Sequence, residues 1–368
     1  MRIPATLMRG GTSKCWLFDV DDVPESRGVL AEMLLEAFGS DDPRQLDGVG
    51  GATSVTSKAA IVGRSTEPGV DAEYLFAQVG IGAHVVDWGS NCGNCATAVA
   101  LWAADRFGIR PAVPGGPTEV RMKNLNTGAI LSARVASPGA DEVAVPGVLG
   151  VGTAVDLAFE SPAGSTTGSL WPTGREGETM TVDGRELLVT MIDAGAPAVF
   201  IDATSLGLSS VVSEAELAEL VPFLRRVRAH AAVAMGIAPS VDAASDAVPK
   251  VGLVGEPADY VTSLGENVRG RDYDVSVRML SMLAPHPTIG LTTAVAIAMA
   301  ARASDSVLPV AIRDPRRDAL VLGLLGGVLV TEVDEGPDGL RVLLRRAARP
   351  LAESSLYLRD RVPVLPAV

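Results

Sequence analysis

Aromatic side chains are scarce in this sequence, only 4% of its 368 residues. Small residues must therefore do much of the packing, and 39 glycines with frequent Ala and Val supply them. Cysteine is scarcer still. Three cysteines, an odd number in a long chain, exclude a disulfide framework. The three histidines, His84, His230 and His286, are scattered, and Cys15 stands alone. A closed zinc site wants four Cys or His ligands in spaced pairs, so no metal is expected. Long apolar runs are missing too. The longest, 294–301 and the Gly-interrupted 319–330, fall short of the ~20 residues that span a bilayer. The start, MRIPATLMRGG, holds no seven-residue apolar stretch of the kind a signal peptide needs. A soluble, cytoplasmic protein with no membrane partner is expected. Basic residues are the minority, 31 against 44 acidic, for a net charge of −13. No basic run is long enough to follow a phosphate backbone, so nucleic acid is not an expected partner. An anionic ligand would need a locally positive pocket.

What is present is a large apolar fraction, 47%, ample for a core and for about two or three domains. Strand-like segments are expected at 3–8, 16–20, 58–62, 74–79, 84–87, 118–121, 129–135 and 142–145. A helix is expected over 24–38, with Pro at its start, Leu30, Met33, Leu34 and Phe38 at helical spacing, and Gly39 as its stop. The segment NCGNCATAVALWAADRFG (91–108) predicts a helix that is apolar almost all round. Gly, Ser and Thr crowd 164–177, which predicts a boundary. The second half repeats the plan. Strands are expected at 180–182, 187–192 and 198–201. A capping box at Ser213-Glu214-Ala215-Glu216 opens a helix. A second apolar helix is expected over 288–303, then strands at 320–331 and 341–345. A helix apolar all round must be wrapped on all sides. The expected fold is α+β, two similar domains facing each other, each with β segments around a central apolar helix. The boundaries are 1–170 and 171–361, with a last strand at 362–368 as candidate to complete the first domain.

Two cysteines lie in SNCGNC (90–95). A zinc half-site lacks its partner ligands. A redox dithiol would sit after a strand in a βαβ pattern, and the all-β surroundings argue against it. The third reading is one working thiol. Ser90 and Asn91 are good N-cap residues, which places Cys92 near the first turn of the helix. A helix N-terminus carries unpaired N–H groups and a partial positive charge, which favour a thiolate or a bound carboxylate. Cys95, about one turn on, reads as packing; a buried packing thiol is the other reading of Cys92. The second helix begins near Pro285-His286-Pro287-Thr288, so two helix N-termini would point into one cleft. Lys58 enters an apolar run after Gly50, Gly51, Thr53, Ser54, Thr56 and Ser57. A phosphate loop needs G-K-[ST], and this order is T-S-K. Desolvation would lower the Lys58 pKa and make it a general base; a surface lysine at a strand end is the alternative.

RGGTSK (9–14), DGVGGATSVTSK (47–58), YLFAQV (74–79) and NCGN (91–94), followed by RMLSM (278–282), His286 and TTAVAIA (292–298), resemble the ordered motifs of the PrpF family. That family includes 2-methylaconitate cis-trans isomerases, 4-oxalomesaconate tautomerases and methylitaconate isomerases. The resemblance covers nearly the whole chain. It implies the diaminopimelate epimerase-like fold and cofactor-independent proton transfer between two domains. Epimerases of that fold face two thiols across the substrate. Here the second helix begins PHPTIGLTT, with no cysteine, so a two-thiol racemase is not expected. The resemblance implies Lys58 and Cys92 as catalytic residues, neutral Lys58 removing a proton next to a carboxylate. It implies Arg9, Gly10, Gly11, Thr12, Ser54, Ser57, Gly93, Asn94, Asn126, Arg278, His286 and Thr288 as substrate-binding residues. The expected partner is a small unsaturated polycarboxylate, 2-methylaconitate first and 4-oxalomesaconate or methylitaconate next, with a homodimer as candidate assembly. A catalytically silent polycarboxylate-binding protein and a thiol oxidoreductase are the readings of other classes. Relatives often carry a GPF segment where this chain has ALWA, and Asn-Pro where it has Ala196-Pro197.

Overall fold

The two apolar helices decide the architecture, because each must be enclosed by strands. The computed structural model describes residues 2–89, 92–308, 319–336 and 339–359. The first half comprises β1 (Arg2–Gly10), β2 (Ser13–Asp19), α1 (Arg27–Phe38), β3 (Lys58–Arg64), β4 (Ala72–Val79), β5 (Val86–Asp87), α2 (Gly93–Arg106), β6 (Thr118–Asn124), β7 (Ile130–Val135), β8 (Glu142–Ala144) and β9 (Val151–Glu160). The second half comprises β10 (Glu178–Val182), β11 (Arg185–Ala194), β12 (Ala196–Asp202), α3 (Glu214–Ala234), β13 (Lys250–Gly255), β14 (Tyr260–Val261), β15 (Asn267–Val268), β16 (Val275–Ser281), β17 (Ala284–Pro285), α4 (Leu291–Ala300), β18 (Ala319–Leu324), β19 (Gly327–Gly336) and β20 (Gly339–Tyr357).

Strand pairing closes the first half into a ring. The order β1-β2-β3-β4-β6-β7-β9-β20 returns to β1. Inside it lies α2, buried continuously from Gly93 to Ala100. The second half runs β10-β11-β12-β13-β16-β18-β19 and ends on the same β20. All of α4 is buried there. β20 thus joins the halves: its first part pairs with β19 on one side and β9 on the other, its later part with β1. Residues 362–368, expected to close the first domain, lie outside the described residues.

The halves repeat one topology. In the first, β2 and β3 are parallel across the outer helix α1, and β4 and β6 are parallel across the central helix α2. In the second, β12 and β13 are parallel across α3, and β16 and β18 across α4. Each outer helix covers its sheet with a separate apolar cluster. The two central helices share one core. Among the described residues no helix is long and apolar enough to cross a membrane.

Local sequence explains most boundaries. Gly39, at φ 66°, ends α1 in the left-handed conformation that glycine tolerates. The helix starts after Ser26, three residues later than expected from Pro24, because Ser fits the extended N-cap conformation found there. The capping box at Ser213 and Glu216 is present. The expected N-cap pair Ser90 and Asn91 lies outside the described residues, and Cys92 itself occupies the N-cap of α2. The apolar run 319–330 is the hairpin β18–β19, broken at its glycines.

The central helices meet at their N-termini. A Cβ on Gly93 would stand 2.6 Å from Leu291 Cβ and 2.9 Å from Phe159 Cζ. Gly93→Ala is therefore expected to destabilise the fold by about 1–3 kcal/mol through overpacking. Gly28→Ala, in the first turn of α1 with nothing within 4 Å of the new Cβ, is expected to be neutral or to stabilise by up to about 1 kcal/mol. Urea-unfolding midpoints of the two variants should move in opposite directions or differ by that margin; equal midpoints would overturn the close-approach account.

Candidate active site

Where the two helix ends meet, a cleft opens between the halves. Lys58, Phe76, Gln78, Asp87, Cys92, Gly93 and Asn94 line it from the first half. Lys250, Met279, Ser281, His286 and the start of α4, Gly290 to Thr293, line it from the second. Neither helix N-terminus has a side-chain cap. Two sets of unpaired N–H groups and two partial positive charges therefore face one space.

Lys58 is the first residue of β3 and is 8% exposed. Its Nζ donates to Gln78 Oε1 at 2.8 Å and lies 5.1 Å from the Phe76 ring centroid. Gln78 is held in turn by donating from Nε2 to Ser57 O at 2.9 Å. Burial pushes the Lys58 pKa down, but Cys92, Cys95 and Cys15 around it push it up, and the net direction is up. Burial is the largest single influence and favours the neutral amine; the opposing pull requires negative charge on the sulfur atoms. Cys92, partly exposed at the N-cap, is within hydrogen-bonding reach of Lys58. Its pKa is raised well above the ordinary value by a hydrogen bond with Cys95 and by burial, which outweigh Lys58. Cys95 is fully buried and also raised, burial first. The helix N-terminus does not make a thiolate here. A redox dithiol needs an accessible thiol of lowered pKa, and neither cysteine supplies one.

His286 is 8% exposed, and its Nδ1 accepts from Thr288 N at 3.0 Å. Burial, then Lys58, Lys250 and Arg346, pushes its pKa down to about 3, so it stays neutral with its proton on Nε2. Thr12, Asn94 and Thr288 form a bridge between the halves. Asn94 Nδ2 donates to Thr12 Oγ1 at 3.1 Å, and Thr288 Oγ1 to the same oxygen at 3.3 Å. Ser54 and Ser281 make a second bridge, Oγ to Oγ at 2.8 Å. Gly10 and Gly11 leave room for α2: added Cβ atoms would stand 2.0 Å from Asn94 O and 1.9 Å from Asn94 Oδ1.

Several expected binding residues face elsewhere. Arg278 is absent from the cleft lining, which on β16 starts at the next residue, Met279. Its Nε donates to Val212 O at 2.9 Å, its Nη1 to Val277 O and Gly323 O at 3.0 Å, and it stacks on Tyr260. Its charge is spent on the fold, so a role in holding substrate is withdrawn. Asn126 staples β4 to the segment after β5: Nδ2 donates to Phe76 O and Trp88 O, and Oδ1 accepts from Phe76 N, each at 2.8 Å. Arg9 donates to Gly11 O and Val151 O, both at 3.0 Å, outside the cleft lining. Ser57 is buried and bonded to Gln45. Among the described residues no group of three His, Cys, Asp or Glu side chains could hold a metal ion.

The PrpF family model, described as PrpF protein, matches residues 1–359. The chain belongs to the PrpF family. It is 34% identical to a 2-methyl-aconitate isomerase of Shewanella oneidensis, over 96% of each chain. The crystal structure of a methylitaconate-delta-isomerase covers 100% of this PrpF chain and 99% of its own, with a TM-score of 0.80 and 30% identity. A hydroxyproline epimerase of Agrobacterium vitis, 12% identical with a TM-score of 0.56 over 96% of this chain and 91% of its own, shares the fold. The architecture is the epimerase-like α+β fold that the motifs imply.

Sequence reasoning missed several cleft residues, among them Gln78, Asp87 and Lys250. Lys250 is the first residue of β13, as Lys58 is the first of β3. The signal was there. KAAIVG (58–63) and KVGLVG (250–255) share Lys, Val and Gly at matching places, in topologically equivalent strands.

The staple role of Asn126 has a direct consequence. Asn126→Ala removes three well-formed hydrogen bonds, each contributing about 0.5–1.5 kcal/mol. A loss of about 2–4 kcal/mol in denaturant unfolding is expected, and a loss under about 0.5 kcal/mol would contradict the assignment.

Proposed function

We propose that this PrpF protein isomerises a small unsaturated di- or tricarboxylate by abstracting and returning a proton, with 2-methylaconitate cis-trans isomerisation as the first assignment. One observation carries the reading. Lys58 and Lys250, two uncapped helix N-termini and, behind His286, Arg346 concentrate positive charge on one cleft, where Asp87 is the one carboxylate among the described lining residues. Arg346 is 1% exposed, and its Nε and Nη2 have no partner. Buried charge without counter-charge is costly, and a polyanion relieves it.

The chemistry follows from Lys58 and Cys92. Both pKa values are shifted up, and the pair is coupled: negative charge on the sulfur favours a proton on Lys58. The reactive form has lost a proton from one of the two. It takes a proton from a CH beside a carboxylate and conjugated to the double bond. The electron pair spreads into a dienolate, whose charge the N–H groups at Gly93, Asn94 and the start of α4 stabilise. Return of the proton to the far carbon moves the double bond. Return to the original carbon after rotation exchanges cis for trans. Proton and electron counts balance without an oxidant or a co-reactant. A positioned base contributes about 10²–10⁴-fold, so charge stabilisation must supply the rest.

The test is proton NMR in D₂O with methylaconitate, methylitaconate, oxalomesaconate and aconitate. Isomerisation with deuterium uptake is expected for one of them, methylaconitate first. Lys58→Met is expected to lower kcat by at least about 10²-fold. Because the reactive form is a deprotonated one, log kcat should climb with slope near one as pH rises through neutrality. Full activity in Lys58→Met would remove Lys58 from the chemistry, and a flat profile would show a base already deprotonated at neutrality, against the upward pKa shifts. Saturable binding with no deuterium uptake from any acid would leave a polycarboxylate-binding protein in place of an isomerase.

A further inference from the structure

The duplicated topology gives Lys58 a counterpart whose role the chemistry above does not use. Lys58 opens β3 and Lys250 opens β13, each the strand after the outer helix of its half. The partner strands agree: Ala60 of β3 pairs with Phe76, and Gly252 of β13 with Met279, so both lysines stand two residues before equivalent positions. Both side chains line the one cleft from opposite walls. Their surroundings differ. Lys58 is tied to Gln78 and set among three thiols. The Lys250 ammonium donates to a single backbone carbonyl, Ala247 O at 2.6 Å, which leaves its other protons unused. The nearby carboxylate of Asp246 is taken by Arg225 and Arg228. Asp87, on the facing wall, keeps one buried oxygen without a partner and does not ion-pair with Lys250.

We propose that Lys250 is the carboxylate clamp of the second half: its ammonium holds the substrate carboxylate farthest from the reacting carbon, while Lys58 and Cys92 work at the other end. The proposal rests on the polycarboxylate reading above and deepens it. It makes the site selective for acids whose two carboxylates are separated widely enough to reach both walls.

Burial, then Lys58 and Arg228, pushes the Lys250 pKa down to about 8, with Asp87 and Cys92 pulling the other way. A bound carboxylate favours the charged form. The clamp is therefore intact below about pH 8 and lost above it. The other cleft groups do not titrate downward into that window: His286 is neutral, Arg228 and Arg346 stay charged with pKa values near about 10, and Lys58 and Cys92 are raised.

Two measurements test this in the full-length protein. In steady-state kinetics Lys250→Met should raise KM about ten- to a hundredfold with kcat within about threefold. Lys250→Arg should keep KM low and abolish its rise above about pH 8. A variant with unchanged KM but collapsed kcat and deuterium uptake would make Lys250 a proton carrier and overturn the clamp. The second measurement needs no turnover. The saturated probe propane-1,2,3-tricarboxylate should raise the Tm of wild type and of Lys250→Arg, and not that of Lys250→Met. The unliganded Lys250→Met protein should still unfold in one cooperative transition, so that a lost Tm shift reports lost binding. Equal stabilisation of Lys250→Met and wild type, or none of wild type, would overturn the proposal. Lys250-dependent probe binding without turnover of any unsaturated acid would keep the clamp and sink the isomerase assignment.

Discussion

The N-terminal approach of two buried helices governs this molecule. Helix ends carrying like partial charges repel, and both are left uncapped here, so bringing them together opposes folding. The fold permits it sterically by leaving out side chains at the crossing: Gly93 against Leu291, Gly10 and Gly11 against Asn94. It holds the ends in place by side-chain bridges through Thr12. The unrelieved positive potential is then available to a ligand. Residues matched to the family motif as binding groups thus divide in two. Some meet the cleft, and others, Gly10, Gly11 and Thr12 among them, make the cleft exist.

Burial and the helix field compete for the thiol at that crossing, and burial wins. A cysteine at an N-cap is favourably placed for a thiolate, yet Cys92 sits beside Cys95 and against the shared core. The same burial works against charge on Lys58, and the sulfur atoms around it favour the ammonium only as they gain negative charge. The outcome is a coupled pair rather than two independent groups. Such a pair suits a reaction in which one proton leaves carbon and another must be ready to return.

Much of this was legible in the sequence. The two central helices, the capping box at Ser213, the stop at Gly39 and the entry of Lys58 into a buried strand all follow from periodicity and residue type. Three things were not. Arg278 lies beside residues that line the cleft, but a motif match does not say which of its residues face inward. The long β20 serves both halves, a pairing between distant segments that local pattern cannot report. Lys250 was hidden because the halves share few identities overall, although KVGLVG repeats KAAIVG where it matters.

That repeat gives the cleft its asymmetry. Two lysines start in equivalent places, so their differences come from neighbours alone. The first half supplies thiols and an amide, which hold a proton next to Lys58. The second buries Lys250 beside cationic neighbours, which lowers its pKa to about 8, and gives its ammonium a single backbone carbonyl. A duplicated fold bearing one identical residue in each copy can therefore divide its labour, chemistry in one half and recognition in the other. For a ligand with carboxylates at both ends such a division is useful, because a fixed cation offsets the charge that lies farthest from the reactive pair.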